Sequence, residues 1–530
     1  MVSGHESPPS GSQSPEAARS DGKALDAYEE RLGQGVRDFL GAGPLPLSIG
    51  GREIAVDRET IPVEDPAQGA VVAEVPAAGR REVDQAVEAA RAAMSGPWRR
   101  MGAHQRSMTL HALADLVEEH GETFAQLESL DSGKPVAAAR DYDVAKTVEF
   151  FRYFAGWPTK IEGSTIPGPG EHRLIYTLRQ PVGVVAQILP WNFPLMIAAW
   201  KLAPALAAGC MAVVKPAEQT PLSVLYLAQL LREADLLPPG VVNVVTGYGG
   251  EAGAALAGHD GVAKVSFTGS PEVAREIVRA AAGNLKRVTL ELGGKSPNIV
   301  LPDMDPAEIA PEAAAAIFLN QGENCIAGSR LFVHRSIFDD VVAGVRDSAD
   351  EVRLGPGLDE TTTMGPLISA QHRDRVLEYV GAGAEAGGDV HRAPAGDRPP
   401  GGYFVEPTVI TGVSDDARVA REEIFGPVLV ALPFESLEEV AARANSTEYG
   451  LAAGIWTHDV AAAHDLARML EAGTVWINTY NETDPAVPFG GFKQSGWGRE
   501  HGGEVLDQHL ETKSVWVNLE RRSRGQGELR

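Results

Sequence analysis

The chain has 530 residues, 44% hydrophobic and 22% charged, a composition of globular proteins and a length for roughly two to four domains. Lys and Arg total 47 against 72 Asp and Glu, and the net charge of −25 excludes partners held by neutralised phosphates, whether nucleic acid or an anionic lipid surface. Only two cysteines occur, Cys210 and Cys325, too few for a disulfide framework or a cysteine-based zinc module and in keeping with a reducing cytoplasm.

Residues 1–35 are rich in Ser, Pro and Gly and are expected to form a disordered tail. They carry no basic stretch leading into an apolar one, so they do not read as a signal peptide. Two amphipathic helices follow: Val83, Ala86, Val87 and Ala90, then Leu110, Leu113, Ala114 and Val117, recur at helical spacing. The apolar stretch 183–214 is interrupted by Gln187, Pro190, Asn192, Pro194 and Lys201, which makes it buried core and not a membrane span. Short apolar runs at 183–189, 211–214, 241–245 and 262–268 predict buried strands, with helices over 221–233 and 271–282. That alternation predicts a parallel sheet with crossover helices, a Rossmann-like nucleotide-binding architecture within an α/β fold. Helices near 306–320 and 338–352, with strands near 330–333, 428–434 and 474–478, predict a second α/β domain. Alternating runs at 174–178 and 514–518 lie outside both sections and are expected to form a small projecting sheet. Residues 521–530 are polar and basic and read as a flexible tail.

Several familiar patterns fail. Gly294-Lys295-Ser296 resembles the end of a phosphate-binding loop, but the required first glycine falls on Thr289. Residues 247–252 satisfy a loose dinucleotide fingerprint after a strand, a weak signal when it stands alone. No metal site is expected, because the thirteen histidines are scattered and neither C-x-x-C nor H-E-x-x-H occurs. Cys325 lies in NQGENCIAGSR (320–330). A lone cysteine is usually a small buried hydrophobe, which suits Cys210 in its apolar run. It suits Cys325 less well, since Gln321, Glu323, Asn324 and Arg330 make its surroundings polar. Glu291, 34 residues earlier in TLELGGKSP (289–297), is either a solvent-facing strand residue or a carboxylate delivered into a cleft. The two glycines after it allow close approach of backbone and ligand.

From about residue 40 to 518 the chain resembles the aldehyde dehydrogenase superfamily. LELGGKSP and NQGENCIAGSR stand at the family's separation, and PWNFP (190–194), KPAEQTP (215–221), FTGS (267–270), EEIFGPV (422–428) and PFGGFKQSGWGRE (488–500) follow the family's order. The resemblance, closest to bacterial phenylacetaldehyde-type enzymes, implies NAD-dependent oxidation of an aldehyde to the carboxylic acid. An aldehyde carbon yields hydride only after a nucleophile adds to it, so a thiolate forms a thiohemiacetal, hydride leaves, and the resulting thioester is hydrolysed. The implied nucleophile is Cys325, with the Asn192 amide and the Cys325 backbone N–H as oxyanion donors. Glu291 is the implied base for water, backed by a proton relay of Lys201 and Glu500.

The implied cofactor residues are Gly269 and Ser270 at a helix start for the pyrophosphate, Lys215 and Glu218 for the adenosine ribose, Gly247 beside the adenine, Trp191, and Glu423 and Phe425 for the nicotinamide ribose. A carboxylate at Glu218 favours NAD over NADP. The implied substrate pocket is Phe193, Ile197, Trp200, Asn324, Ile326, Thr483 and Phe489, mostly apolar and suited to a medium-sized aliphatic or aryl aldehyde. Glu482 leaves an amino aldehyde or semialdehyde as the alternative. A thioester or ester hydrolase, or a non-catalytic binding protein, are the rival classes. Arg287, Arg499 and Glu511 match an ion network at the subunit interface of related homodimers and homotetramers. The implied division is a cofactor domain (36–160 and 182–293), a catalytic domain (294–500) and an oligomerisation arm (161–181 and 501–520).

Overall fold

Val184–Ile188 and Met211–Lys215 are buried at every position, which is why they read as unbroken apolar runs, and they pair in parallel at the centre of an eight-stranded sheet. In the computed structural model, which describes residues 30–396 and 398–520 together with Leu25 and Tyr28, the strand order is Arg52–Ile54, Leu47–Ile49, Val242–Val244, Met211–Lys215, Val184–Ile188, Lys264–Gly269, Arg287–Leu292 and Gly496–Trp497. The five strands from Val242–Val244 to Arg287–Leu292 are parallel, and the helices Pro194–Ala208, Leu222–Glu233 and Pro271–Ala281 supply crossovers. From Val184–Ile188 the chain builds outward first to one side and then, with Lys264–Gly269, to the other. The crevice beyond the carboxyl ends of these two strands is therefore a topological switch point, where open α/β sheets bind ligands. The turn 190–194 and the pair Gly269–Ser270 both stand there.

A second, seven-stranded sheet follows, in the order Asp389–Arg392, Thr408–Thr411, Val428–Phe434, Arg330–His334, Pro297–Val300, Ala452–Trp456 and Thr474–Ile477. Only Asp389–Arg392 runs antiparallel, and separate apolar clusters cover the sheet. The expected projecting sheet is present: Arg173–Pro181 pairs along its whole length with Leu510–Asn518, and Thr165–Ile166 adds a short third strand. No helix among the described residues is long and apolar enough to cross a membrane.

Four expected boundaries shift. Residues 1–24 and 521–530 lie outside the described residues, but Tyr28 and Leu32, within the expected tail, are buried, and the Tyr28 hydroxyl donates to Asp65 Oδ2 at 2.8 Å. The helix expected to reach residue 320 stops at Phe318, because Asn320 and Gln321 take left-handed φ values of 51° and 58°. Gly496–Trp497, assigned to the catalytic domain, instead extends the first sheet by pairing with Leu290 and Glu291. Val505 and Leu506, assigned to the arm, belong to the main core beside Pro194–Ala208, so the arm proper begins at Leu510.

Candidate active site

The Cys325 turn is held by unusual backbone. After Asn320 and Gln321, Gly322 (φ 71°) packs so closely on Gly426 that a Cβ there would stand 2.2 Å from its carbonyl oxygen. The turn is laced to the 190–194 turn through one acceptor. Asn192 Nδ2 and Asn320 Nδ2 each donate to the Glu323 carbonyl at 3.0 Å, and Asn320 also reaches the Asn192 carbonyl at 3.2 Å. A primary amide has two N–H groups, so Asn192 retains one beyond this bond. Cys325 is partly buried and Cys210 fully so; both are free thiols. Burial, with Glu423 and Glu291 adding negative charge, pushes the Cys325 thiol up to about 12.

Of the two readings open for Glu291, the structure selects the interior one. Glu291 is 4% exposed, and neither carboxylate oxygen has a hydrogen-bond partner among the described residues. Burial first, then the Glu500 charge, raises its pKa well above the carboxylate range, against Lys201 and Arg499. Behind it, Lys201 Nζ donates to Glu500 Oε1 at 2.7 Å and to Ser266 Oγ at 3.0 Å, and Ser266 Oγ donates to the same Glu500 oxygen at 2.8 Å. Burial works to raise Glu500, but Lys201, then Lys264 and the Ser266 hydroxyl, hold it down at about 2.

The glycine pair after Glu291 makes room for protein before any ligand. A Cβ on Gly293 would fall 2.0 Å from Glu423 Oε2, and one on Gly294 would fall 2.6 Å from the Cys325 carbonyl. Gly294 N–H donates to Glu423 Oε1 at 3.0 Å, and burial raises Glu423 to about 7. Phe425 takes a left-handed φ of 60°, and its ring meets Trp191 edge-on at 5.2 Å. Its carbonyl is bonded to His372 Nε2 at 2.6 Å, and that ring also stands edge-on to Trp191. Sequence reasoning missed His372, which lies in no motif.

At the switch point Ser270 caps Pro271–Ala281, its hydroxyl accepting from Val273 N–H, so a helix N-terminus faces the crevice. A Cβ on Gly269 would strike the Phe267 ring. Buried Lys215 donates to the Pro216 carbonyl at 2.8 Å and meets Glu218 Oε2 at 3.4 Å. Gly247 (φ 154°) is required by packing, since a Cβ there would stand 2.8 Å from the Ala78 carbonyl. A helix N-terminus for phosphates, carboxylates for ribose hydroxyls and an aromatic ledge together suit a dinucleotide.

A cavity of about 550 Å³ opens nearby, lined by Thr483 and Phe489 of the expected pocket. Trp200 packs on Phe489 with ring centres 5.3 Å apart, and Phe193 lies 6.4 Å from the Tyr142 ring. Asn324 Nδ2 reaches Asn481 at 3.3 Å, the Ile326 carbonyl accepts from Tyr480, and Ile197 is buried in Pro194–Ala208. Tyr142, Lys146, Trp476 and His501 also line the cavity and were not anticipated. Tyr142 lies in a π-helical segment, Ala139–Val144, that no sequence motif marks; adjacency to Glu500 was the available signal for His501. The expected ion triad is divided within one chain. Arg287 pairs with Glu511 at 2.9 Å, whereas Arg499 donates to the Gly498 and Gly491 carbonyls and lies over the Phe492 ring.

The family model for the aldehyde dehydrogenase family matches residues 54–515. The chain is 48% identical over 486 residues to the phenylacetaldehyde dehydrogenase of Pseudomonas fluorescens, covering 89% of this chain and 96% of that one. It is 47% identical over 470 residues to human mitochondrial aldehyde dehydrogenase, covering 88% and 90%. An aldehyde dehydrogenase of Bacillus cereus solved as its NAD+ complex is 50% identical and superimposes with a TM-score of 0.89, covering 92% of this chain and 99% of that one.

Proposed function

The chain belongs to the aldehyde dehydrogenase family and oxidises an aldehyde to the carboxylic acid with NAD, and we propose that Cys325, Glu291 and Asn192 carry that reaction. The observation that carries the assignment is a turn presenting Cys325 and a turn presenting the Asn192 amide, joined at the Glu323 carbonyl, with the buried Glu291 carboxylate close enough for its charge to act on the Cys325 thiol and without a hydrogen-bond partner among the described residues.

The Cys325 thiol loses its proton to water, its thiolate sulfur adds to the aldehyde carbon, and the carbonyl oxygen becomes an oxyanion positioned for the second Asn192 N–H and the Cys325 backbone N–H. Bound NAD supplies the hydride acceptor. Ser270 and the helix it caps, Lys215 with Glu218, Glu423, Phe425 and Trp191 are the residues that would hold it; Gly247 contributes a close turn beside them. Collapse of the thiohemiacetal leaves an acyl group on Cys325. Glu291 then takes a proton from the water that attacks this thioester, the acid is released as the Cys325 thiolate leaves, and the proton held on Glu291 is available to restore the thiol. Its two unpartnered oxygens leave it free to bond that water. Lys201 and Glu500 supply the charge balance and proton route behind it.

The substrate is an aryl or medium-sized aliphatic aldehyde. Tyr142, Trp476 and Phe489 give the cavity aromatic walls, and the relative named for phenylacetaldehyde supports that choice. Glu482 and Asp484 also line the cavity, but both are exposed, where water and salt screen their charge, so the charge does not select a cationic amino aldehyde. The protein works as a homodimer or homotetramer joined through the arm, and its two free thiols suit a reducing cytoplasm. A screen of NADH formation across aryl, aliphatic and amino aldehydes tests the substrate assignment. The highest kcat/KM is expected for arylacetaldehydes, and a preference for amino aldehydes overturns it.

A further inference from the structure

Directly behind the 190–194 turn lies a buried ion cluster that takes no part in the chemistry above. Lys134 is 1% exposed, and its partners Asp143 and Glu128 are equally enclosed. The Lys134 ammonium donates to Asp143 Oδ2 and, at 2.8 Å, to the Asn192 carbonyl. Glu128 Oε2 stands 4.0 Å from it, and the Phe193 ring presents its face at 4.4 Å. Glu128 Oε1 in turn accepts the Leu195 N–H at 3.0 Å and the Ser223 hydroxyl. The cluster thus grips the chain on both sides of Phe193, by the carbonyl before it and the N–H two residues on.

Burying an ammonium with several carboxylates is a poor way to gain stability, because desolvation offsets most of the attraction. Here the cluster fixes a peptide group instead. The Asn192 carbonyl and the Asn192 side-chain amide leave the same residue, so a tether on one limits where the other points. We propose that Lys134, seated by Asp143 and Glu128, is a positioning residue that aims the Asn192 amide at the developing oxyanion. Asp143 reaches Lys134 from the π-helical segment, and the residue before it in that segment, Tyr142, bonds Thr483 of the cavity wall at 3.1 Å. A wider helical turn of this kind re-aims neighbouring side chains. The inference rests on the oxyanion role assigned to Asn192.

The test is a double-mutant cycle on the full-length enzyme with Lys134→Met and Asn192→Ala. Lys134→Met is expected to lower kcat by about tenfold, within the roughly hundredfold that loss of an oxyanion donor costs. KM for aldehyde and the NAD dissociation constant should stay within about twofold, a split that general loosening of the fold would not give. In the Asn192→Ala background Lys134→Met should lower kcat by less than about twofold, because the group it positions is gone. Unchanged kcat for Lys134→Met, or effects that multiply, overturns the proposal. If Lys134→Met does not fold, Asp143→Asn enters the same cycle, where non-additivity supports the proposal and multiplication overturns it. If Asn192→Ala alone keeps normal kcat, the oxyanion assignment falls and the positioning role with it. If Asn192→Ala is slow and the effects multiply, only the positioning role falls.

Discussion

Gly490 leaves the space in which the Glu291 carboxylate rests. A Cβ at residue 490 would stand 2.9 Å from Glu291 Oε1 and 2.9 Å from the Gly498 carbonyl, and the backbone there has a φ of 156°. The flanking residue Phe489 exchanges both backbone hydrogen bonds with Glu500, so Glu500 and this glycine are registered together. Gly490→Ala is expected to displace Glu291 and slow thioester hydrolysis by about tenfold or more, on the scale of a lost general base. Rapid-mixing kinetics should show a burst of NADH followed by a slow steady state.

Cys325→Ala removes the proposed nucleophile, and turnover should fall by at least about a thousandfold while NAD still binds by calorimetry. Glu291→Gln keeps the shape but not the base. It should complete the first turnover and stall, with one acyl group per chain visible by mass spectrometry.

The pH dependence of Cys325 follows from its setting. With the thiol held up near 12 by burial and by Glu423 and Glu291, the thiolate fraction at neutral pH is small and grows about tenfold per pH unit. Alkylation of the cofactor-free protein by iodoacetamide should therefore accelerate across pH 7 to 9 with that slope. Peptide mapping should place the label on Cys325, with fully buried Cys210 unmodified.

Lys201→Met leaves Glu500 buried without its ammonium, a change that costs about 3–5 kcal/mol in comparable buried pairs. Glu500 is held at about 2 in the folded chain, below its ordinary 4.5. The stability it contributes is full above about 4.5 and is lost as pH falls toward about 2. The difference in urea midpoint between wild type and Lys201→Met should accordingly be large at pH 7 and shrink below pH 4.

The arm presents Trp516, 63% exposed, with Leu174, Leu178 and Ile166 also exposed. Trp516 and Ile166 both lie opposite Ile175 and share one face of the arm, whereas Leu174 and Leu178 lie on the other, and the proposed homo-oligomer would cover the Trp516 face. Trp516→Glu should lower the oligomeric mass measured by light scattering at micromolar concentration. The exposed Arg287–Glu511 pair contributes little by itself, and Glu511→Gln should leave that mass unchanged.

The amino-acid sequence by itself determined the parallel strands, the crossover helices and the projecting sheet, and it singled out Cys325 as the candidate nucleophile. Each of those leaves a local trace: strands buried on both faces must be continuously apolar, and a turn of Asn, Gln, Gly and Glu around a cysteine is conspicuous in a chain with only two. Tertiary structure alone decided which reading of Glu291 holds, because what packs over each face of a strand decides which of its alternating side chains are buried, and a segment about 200 residues away both pairs with this strand at Gly496 and lies against the carboxylate at Gly490. It alone separated Arg499 from Arg287 and Glu511, and it alone brought Tyr142, His372 and Lys134 to the site. Those three act through contacts with segments 53 to 341 residues distant in the chain, so no spacing rule could have disclosed them.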